Sequence, residues 1–411
     1  MCAKWAEPKK GYNPSFLFEG LERIKKINPE GQAGFQGVEF DDYFTVLLSS
    51  VEFTGRIPEV ERQGILRAAL FSVAQQGKLT QDAVLKQVSA NEVAYLRQPI
   101  KPFVLLSSLS VHYHDEIKSS SLGDVKITLT PNLPKGFSQQ AVVERAQRMV
   151  HGDLPDDYSY VRVEVSARSI FEAAEQALDS LDLLRGIWNY LSNRRHHLRW
   201  STSRREPINT VMLGPIHTLH KPGGEIASDT YWYEPDYAGP APSFRFMDQI
   251  DAFRKEERLI RNRLTRHRYR VAVEDLIKAY TRALDTRDYK SAFISLWSVL
   301  ERLTNTEQAR YDVTIRRASF LLDDEAFHRQ ILNHLRDHRN RAVHIGETIN
   351  EIETILYQLK RYVEVALGFH ISNFQDFSTI AEAASFMDLP CSVDELKRKT
   401  ILYKKAIRFR E

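Results

Sequence analysis

Beyond Pro240-Ala241-Pro242 the chain repeats apolar residues at intervals of three and four with little interruption, and no other feature constrains its fold as strongly. An apolar residue every 3.6 positions lays a stripe along one side of a helix, and that stripe has to be covered. The pattern predicts helices near 246–265, 268–285, 288–305, 313–322, 326–345 and 349–371, with a tail helix near 393–408. Short connections between long amphipathic helices favour an up-and-down bundle. The paired prolines mark its entrance, because neither can continue a helix or donate to a ladder.

The residues before this boundary have a different character. Residues 1–100 have a mainly helical pattern after a loose start. Ile65, Leu66, Ala69, Leu70 and Val73 share one helix face, and Thr80-Gln81-Asp82-Ala83 is a helix start for the stretch to Arg97. Residues 101–240 contain strand-like runs at Phe103 to Tyr113, Val125 to Thr130, Tyr160 to Val165, Val211 to Leu213 and Thr230 to Tyr233. The Tyr160 run alternates polar and apolar, the mark of a strand with one buried face. A long amphipathic helix from about Ser169 to Leu191 interrupts them, and Lys221-Pro222-Gly223-Gly224 is a turn. The expected class is α+β: a mainly helical region (1–100), an α+β domain with a mostly antiparallel sheet (101–240), a C-terminal all-α bundle (243–375) and a helical tail (376–411).

A length of 411 residues suits two or three such domains. No apolar run of membrane-spanning length occurs and the first residues lack the apolar core of a secretory signal, so no membrane partner is expected. Only Cys2 and Cys391 are present, which fits a reducing cytoplasm and excludes a cysteine-based zinc site. Histidine pairs occur at His112/His114, His196/His197 and His217/His220, but none has a ligand motif, and the expectation is no metal and no cofactor. Phosphate-binding glycine loops and nucleophile elbows are lacking as well.

The chemistry concentrates in Leu335-Arg336-Asp337-His338-Arg339-Asn340-Arg341-Ala342-Val343-His344-Ile345-Gly346. Its helix is expected to bury Phe327, Ile331, Leu335 and Ala342. Arg336, Asn340 and His344 recur every four residues and so share another face, with Arg339 about 100° round from Asn340. Gly346 is a natural helix terminator and Thr348-x-x-Glu351 a following capping box, placing His344 in a last helical turn. There the helix dipole favours a protonated imidazole. Arginine offers a permanent planar charge for phosphate, and histidine can move a proton near neutral pH. A second Arg-polar-x3-His at Arg329 and His334 falls mid-helix without a glycine cap and is read as accidental. Upstream, Ala292, Leu296, Val299, Leu300 and Leu303 form a core stripe that Glu301 follows closely, toward a shared polar cavity.

Arg339-Asn340-x3-His344-x-Gly346, the Leu296-Trp297-Ser298-Val299-Leu300-Glu301 helix and the Tyr311 to Leu322 segment with Arg316 together resemble the HEPN superfamily, and more narrowly the HEPN domain of ApeA-like bacterial antiphage proteins. The resemblance covers roughly residues 268–371. It implies a helical bundle that forms a homodimer with two Arg/His motifs meeting at the interface. It also implies a metal-independent ribonuclease in which a ribose 2′-hydroxyl attacks the adjacent phosphate. Arg339 would then stabilise phosphoryl charge, His344 would be acid or base, Asn340 would orient one of them, and Glu301 and Arg336 would support the site. The setting implied is defence against phage or toxin-like arrest through RNA or tRNA cleavage, with the first 240 residues restraining the nuclease until a trigger or regulator acts.

Two basic runs are candidate RNA contacts. Residues 251–270 hold eight arginines and lysines, Arg261 and Arg266 among them, against three acids. Residues 193–205 hold Arg194, Arg195, Arg199, Arg204 and Arg205 around Trp200, which can stack on a base. Such runs are also common as solvated surfaces. The alternative to an enzyme is therefore a non-catalytic HEPN module that binds RNA or a partner, or serves dimerisation.

Overall fold

A computed structural model describes residues 3–6, 14–137, 140, 142–143, 145, 148–149, 155–194, 206–235, 237, 242–246, 249–306, 310–344 and 352–411, with residues 14, 117 and 342–344 described by backbone alone. Its strands are β1 (Lys4–Trp5), β2 (Lys25–Ile27), β3 (Ala33–Phe35), β4 (Val51–Glu52), β5 (Lys101–Leu109), β6 (Ser119–Leu122), β7 (Val125–Thr130), β8 (Ser159–Ala167), β9 (Ile216–His220) and β10 (Ile226–Tyr233). The first five helices are α1 (Pro14–Ile24), α2 (Glu39–Ser50), α3 (Glu59–Gln76), α4 (Gln81–Leu96) and α5 (Ile170–Asn193). They are followed by α6 (Ile250–Arg266), α7 (Arg270–Asp285), α8 (Tyr289–Leu303), α9 (Tyr311–Phe320) and α10 (Glu325–His344). The last three are α11 (Ile352–Ser372), α12 (Ile380–Met387) and α13 (Val393–Arg410). The fold is α+β, with a six-stranded antiparallel sheet in the order β10-β9-β5-β8-β7-β6 and a helical C-terminal region.

The chain divides into two compact units. One comprises Met1–Leu105, Val163–Leu178 and Thr218–Tyr231; the other comprises Leu106–Arg162, Asp179–His217 and Trp232–Glu411. The first unit is built on α3 and α4, whose Leu66, Leu70, Val84 and Val88 are buried in one cluster with Leu21 and Leu47. Thr80 caps α4 by accepting from the Ala83 amide, as its position predicts. The sealed Glu92 carboxylate accepts from the Thr54 and Gly55 amides through Oε1, while its Oε2 has no partner among the described residues. After β9, Gly224 takes the left-handed conformation at φ 91° and the Lys221 amide bonds the Glu225 carbonyl, closing the turn expected there.

In the second unit α8 is the central helix and packs against α7, α10 and α11. Asp288 starts it by accepting from the Lys290 and Ser291 amides. Phe293, Leu296, Trp297, Leu300 and Leu303 are all sealed, so the stripe is wider than the expected one. Arg317 closes the other end by donating to the Thr304 and Asn305 carbonyls, which have no helical partner. The same guanidinium pairs with Asp388, which also holds Arg316. Residues Val211 to Leu213 are not a strand. Asn189 bonds the Val211 amide and carbonyl through its side chain, taking the place of a neighbouring strand, and Leu213 makes one bridge to Leu109.

Helix α10 departs from expectation on its inner face. Leu332 and Leu335 are sealed, but Phe327 is 52% exposed and Ile331 only half-buried. The buried stripe is rotated toward Leu332 because the first turn of the helix is held by Asp324 and by a hydrogen bond between His328 and Tyr362. Along α13 no side chain is buried. No described helix is long and apolar enough to cross a membrane.

Candidate functional site

Three helices of the second unit assemble the site. Trp297 of α8 donates its indole N–H to Oε1 of Glu301 one turn on, at 3.1 Å. The Trp297 ring meets the Tyr311 ring of α9 edge to face, with centres 6.2 Å apart. The Arg339 guanidinium of α10 lies over the opposite partner in this chain, its Cζ 5.0 Å from the Tyr311 ring centre. Glu301, Trp297, Tyr311 and Arg339 thus form one continuous contact path. Sequence alone proposed Glu301 and Arg339 as site residues; Tyr311 was missed as the link between them, although an aromatic in the first turn of α9 was available as a signal.

Arg339 differs from the other arginines of its helix. Arg329 pairs with Glu325, Arg336 with Asp312 and Asp337, and Arg341 lies against the His338 ring. Arg339 has no ion pair or hydrogen bond with any described residue, and its Nε is buried without a partner. The adjacent Asn340 Oδ1 is in the same condition, as is Thr314 Oγ1 on α9. A buried donor or acceptor left unmade costs about 1–3 kcal/mol, so adjacent ones call for an explanation. Arg339 Nε and Asn340 Oδ1 are both sealed, so a phosphate could meet only the outer nitrogens of the guanidinium.

His344 is the last described residue of α10, and its side chain lies outside the described residues, as do Gly346, Thr348 and Glu351. The pair Arg329/His334, read as accidental, has its arginine committed to Glu325.

Of the basic candidates, Arg195, Arg199 and Trp200 lie outside the described residues. Arg194 is exposed, with its guanidinium 5.3 Å from the Tyr190 ring centre. Arg261 is turned inward: it donates to Ser120 Oγ at 2.6 Å and to the Ser121 carbonyl, tying α6 to β6. Arg254, Arg268 and Arg270 are paired with Glu116, Asp376 and Glu274. Arg266 is exposed and has no ion pair with a described residue. Much of the charge in residues 251–270 is therefore spent within the fold.

The histidines of β9 are internal. His217 bonds Ser107 Oγ through Nδ1 at 2.7 Å and Glu234 through Nε2 at 3.1 Å. Although the three residue types are those of a hydrolase triad, Ser107 and His217 are both sealed, so no substrate reaches the hydroxyl. His220 bonds Thr218 and the Gly224 carbonyl. His114 caps the turn at Glu116. Among the described residues no group of three or more acidic, histidine or cysteine side chains is arranged around a metal position. In the first unit a cleft is lined by Arg56, Arg168, Glu172 and Glu175; Arg168 is committed there to Glu172 and the Leu96 carbonyl.

No family model, no curated protein and no solved structure matches this chain.

Proposed function

We propose that the chain is a HEPN-type endoribonuclease that cuts RNA without a metal, with tRNA among its substrates. The observation that carries the reading is Arg339, whose guanidinium pairs with no described residue, beside Asn340 with its unpartnered Oδ1, in the Arg-Asn-x3-His pattern that joins a phosphate binder to a proton carrier. In the reaction the ribose 2′-oxygen bonds to the adjacent phosphorus and the bond to the 5′-oxygen breaks. The products are a 2′,3′-cyclic phosphate and a 5′-hydroxyl. Arg339 neutralises the charge that builds on the non-bridging oxygens, a role that suits its fixed fork. His344 takes the 2′-proton or supplies the 5′-oxygen with one, and Asn340 orients the group that does so. Glu301 holds Trp297 and Arg336 frames the site. A homodimer through the bundle brings two His344 side chains together, so that one acts as base and the other as acid.

The first 240 residues are proposed to restrain the enzyme in the cytoplasm until a trigger or regulator acts, in antiphage defence or as a toxin. A freely active ribonuclease would harm its own cell. A non-catalytic module that binds RNA or a partner would use the same unpaired Arg339 but would be indifferent to His344.

The test is incubation of purified wild-type and His344→Ala protein with total RNA and tRNA in EDTA, with analysis of the product ends. Wild-type cleavage leaving cyclic phosphates, lost in the variant, supports the enzyme. RNA binding that persists in both proteins, without cleavage or toxicity on expression, supports the module.

A further inference from the structure

On α10, one turn before Arg339, His334 and His338 face each other with their Nε2 atoms 3.1 Å apart. Their rings meet edge to face at 80° with centres 4.4 Å apart, so they do not stack. His334 is exposed and His338 half-buried, and solvent reaches the pair. An ion held at about 2.0–2.1 Å from each of two imidazole nitrogens separates them by roughly 2.9 Å in square-planar geometry and roughly 3.3 Å in tetrahedral geometry. The observed spacing falls between the two.

We infer that His334 and His338 form a two-imidazole site for a divalent late transition-metal ion. Residues four apart on a helix share a face, so the backbone presents both rings without rearrangement. Imidazole suits copper, nickel and zinc, and among these copper(II) binds most tightly. Arg341 opposes the ion: its Nη2 lies 3.2 Å from His338 Nδ1 and 3.3 Å from Nε2 and must swing away into solvent. Water completes the coordination. This site is independent of the nuclease reading, and its ion takes no part in that reaction.

The experiment is titration of the untagged full-length protein with copper(II), read by electron paramagnetic resonance and by competition with a chelating dye. Nitrogen splitting from two imidazoles is expected in the wild type. His334→Gln and His338→Gln should each weaken one binding step by about 10-fold or more, as loss of half the ligand set implies. Arg341→Ala should strengthen the same step. Both residues are on the surface, so circular dichroism of the variants should match the wild type. Binding curves and spectra unchanged in both glutamine variants would overturn the proposal.

Discussion

The guanidinium of Arg339 lies over the ring of Tyr311, with its Cζ 5.0 Å from the ring centre, and that contact fixes the position of a cation that no carboxylate of a described residue holds. A cation over an aromatic face gains about 0.5–2 kcal/mol while its N–H groups stay available at the rim. If Arg339 meets phosphate, Tyr311→Leu should lower RNA cleavage by roughly 2- to 30-fold, following that energy range. Tyr311→Phe, which keeps the ring, should cut almost as well as wild type. Single-turnover rates of the three proteins check this.

Arg261 and Arg266 lie five residues apart on α6 but should behave differently. Arg261 holds Ser120 and the Ser121 carbonyl, so Arg261→Ala should lower the melting temperature, having removed a charge-assisted bond of about 1–3 kcal/mol. Arg266→Ala should leave melting unchanged and reduce the salt dependence of RNA binding by about one phosphate contact. Thermal denaturation and RNA titrations at several salt concentrations separate the two effects.

His370 gives the bundle a pH dependence. Its Nε2 donates to the Leu303 carbonyl at 2.7 Å and its Nδ1 accepts from the Tyr269 hydroxyl at 2.9 Å, so the folded ring is neutral. Burial pushes its pKa down to about 4 from 6.5. Between those values the unfolded chain takes up the proton first. The stabilising contribution is therefore complete above pH 6.5 and is lost as the pH falls toward 4, by about 3 kcal/mol. Urea unfolding at several pH values should show this slope in wild type and a shallower one in His370→Gln.

Lys360, Glu364 and Tyr280 form a sealed polar cluster. Lys360 Nζ donates to Glu364 Oε1 and to the Asn193 carbonyl, and the Tyr280 hydroxyl donates to the same carboxylate at 2.6 Å. Lys360→Ala leaves a buried carboxylate with one partner fewer and should cost about 3–5 kcal/mol. The double variant Lys360→Met, Glu364→Leu should recover much of that loss, because it removes both charges together. Denaturant midpoints of the two proteins decide it.

Helix positions in the C-terminal half were legible because each carries an uninterrupted stripe: α7 through α11 lie within a few residues of the expected spans. Strand β9 was not. Its Ile216, His217, Thr218, Leu219 and His220 are all sealed, and a strand covered on both faces shows no alternation. The two histidines there showed no ligand motif in sequence, but nothing in their spacing indicated that both are internal. Phe327 was expected inside because helical spacing specifies a stripe but not which of two adjacent stripes turns inward. The motif residues Arg339 and Asn340 were legible from type and spacing. That Arg339 would be the unpaired arginine of α10 was not, because its neighbours' carboxylates come from Asp312 on another helix as well as from their own.

The central claim is that Arg339, and not the similarly spaced Arg329, is the phosphate-binding arginine. The direct measurement is RNA cleavage in EDTA by wild type, Arg339→Ala and Arg329→Ala, repeated as growth arrest and RNA decay on expression in cells. Wild type and Arg329→Ala should cut RNA and arrest growth, and Arg339→Ala should do neither at equal folded concentration. Equal cleavage by all three, or loss confined to Arg329→Ala, would contradict it.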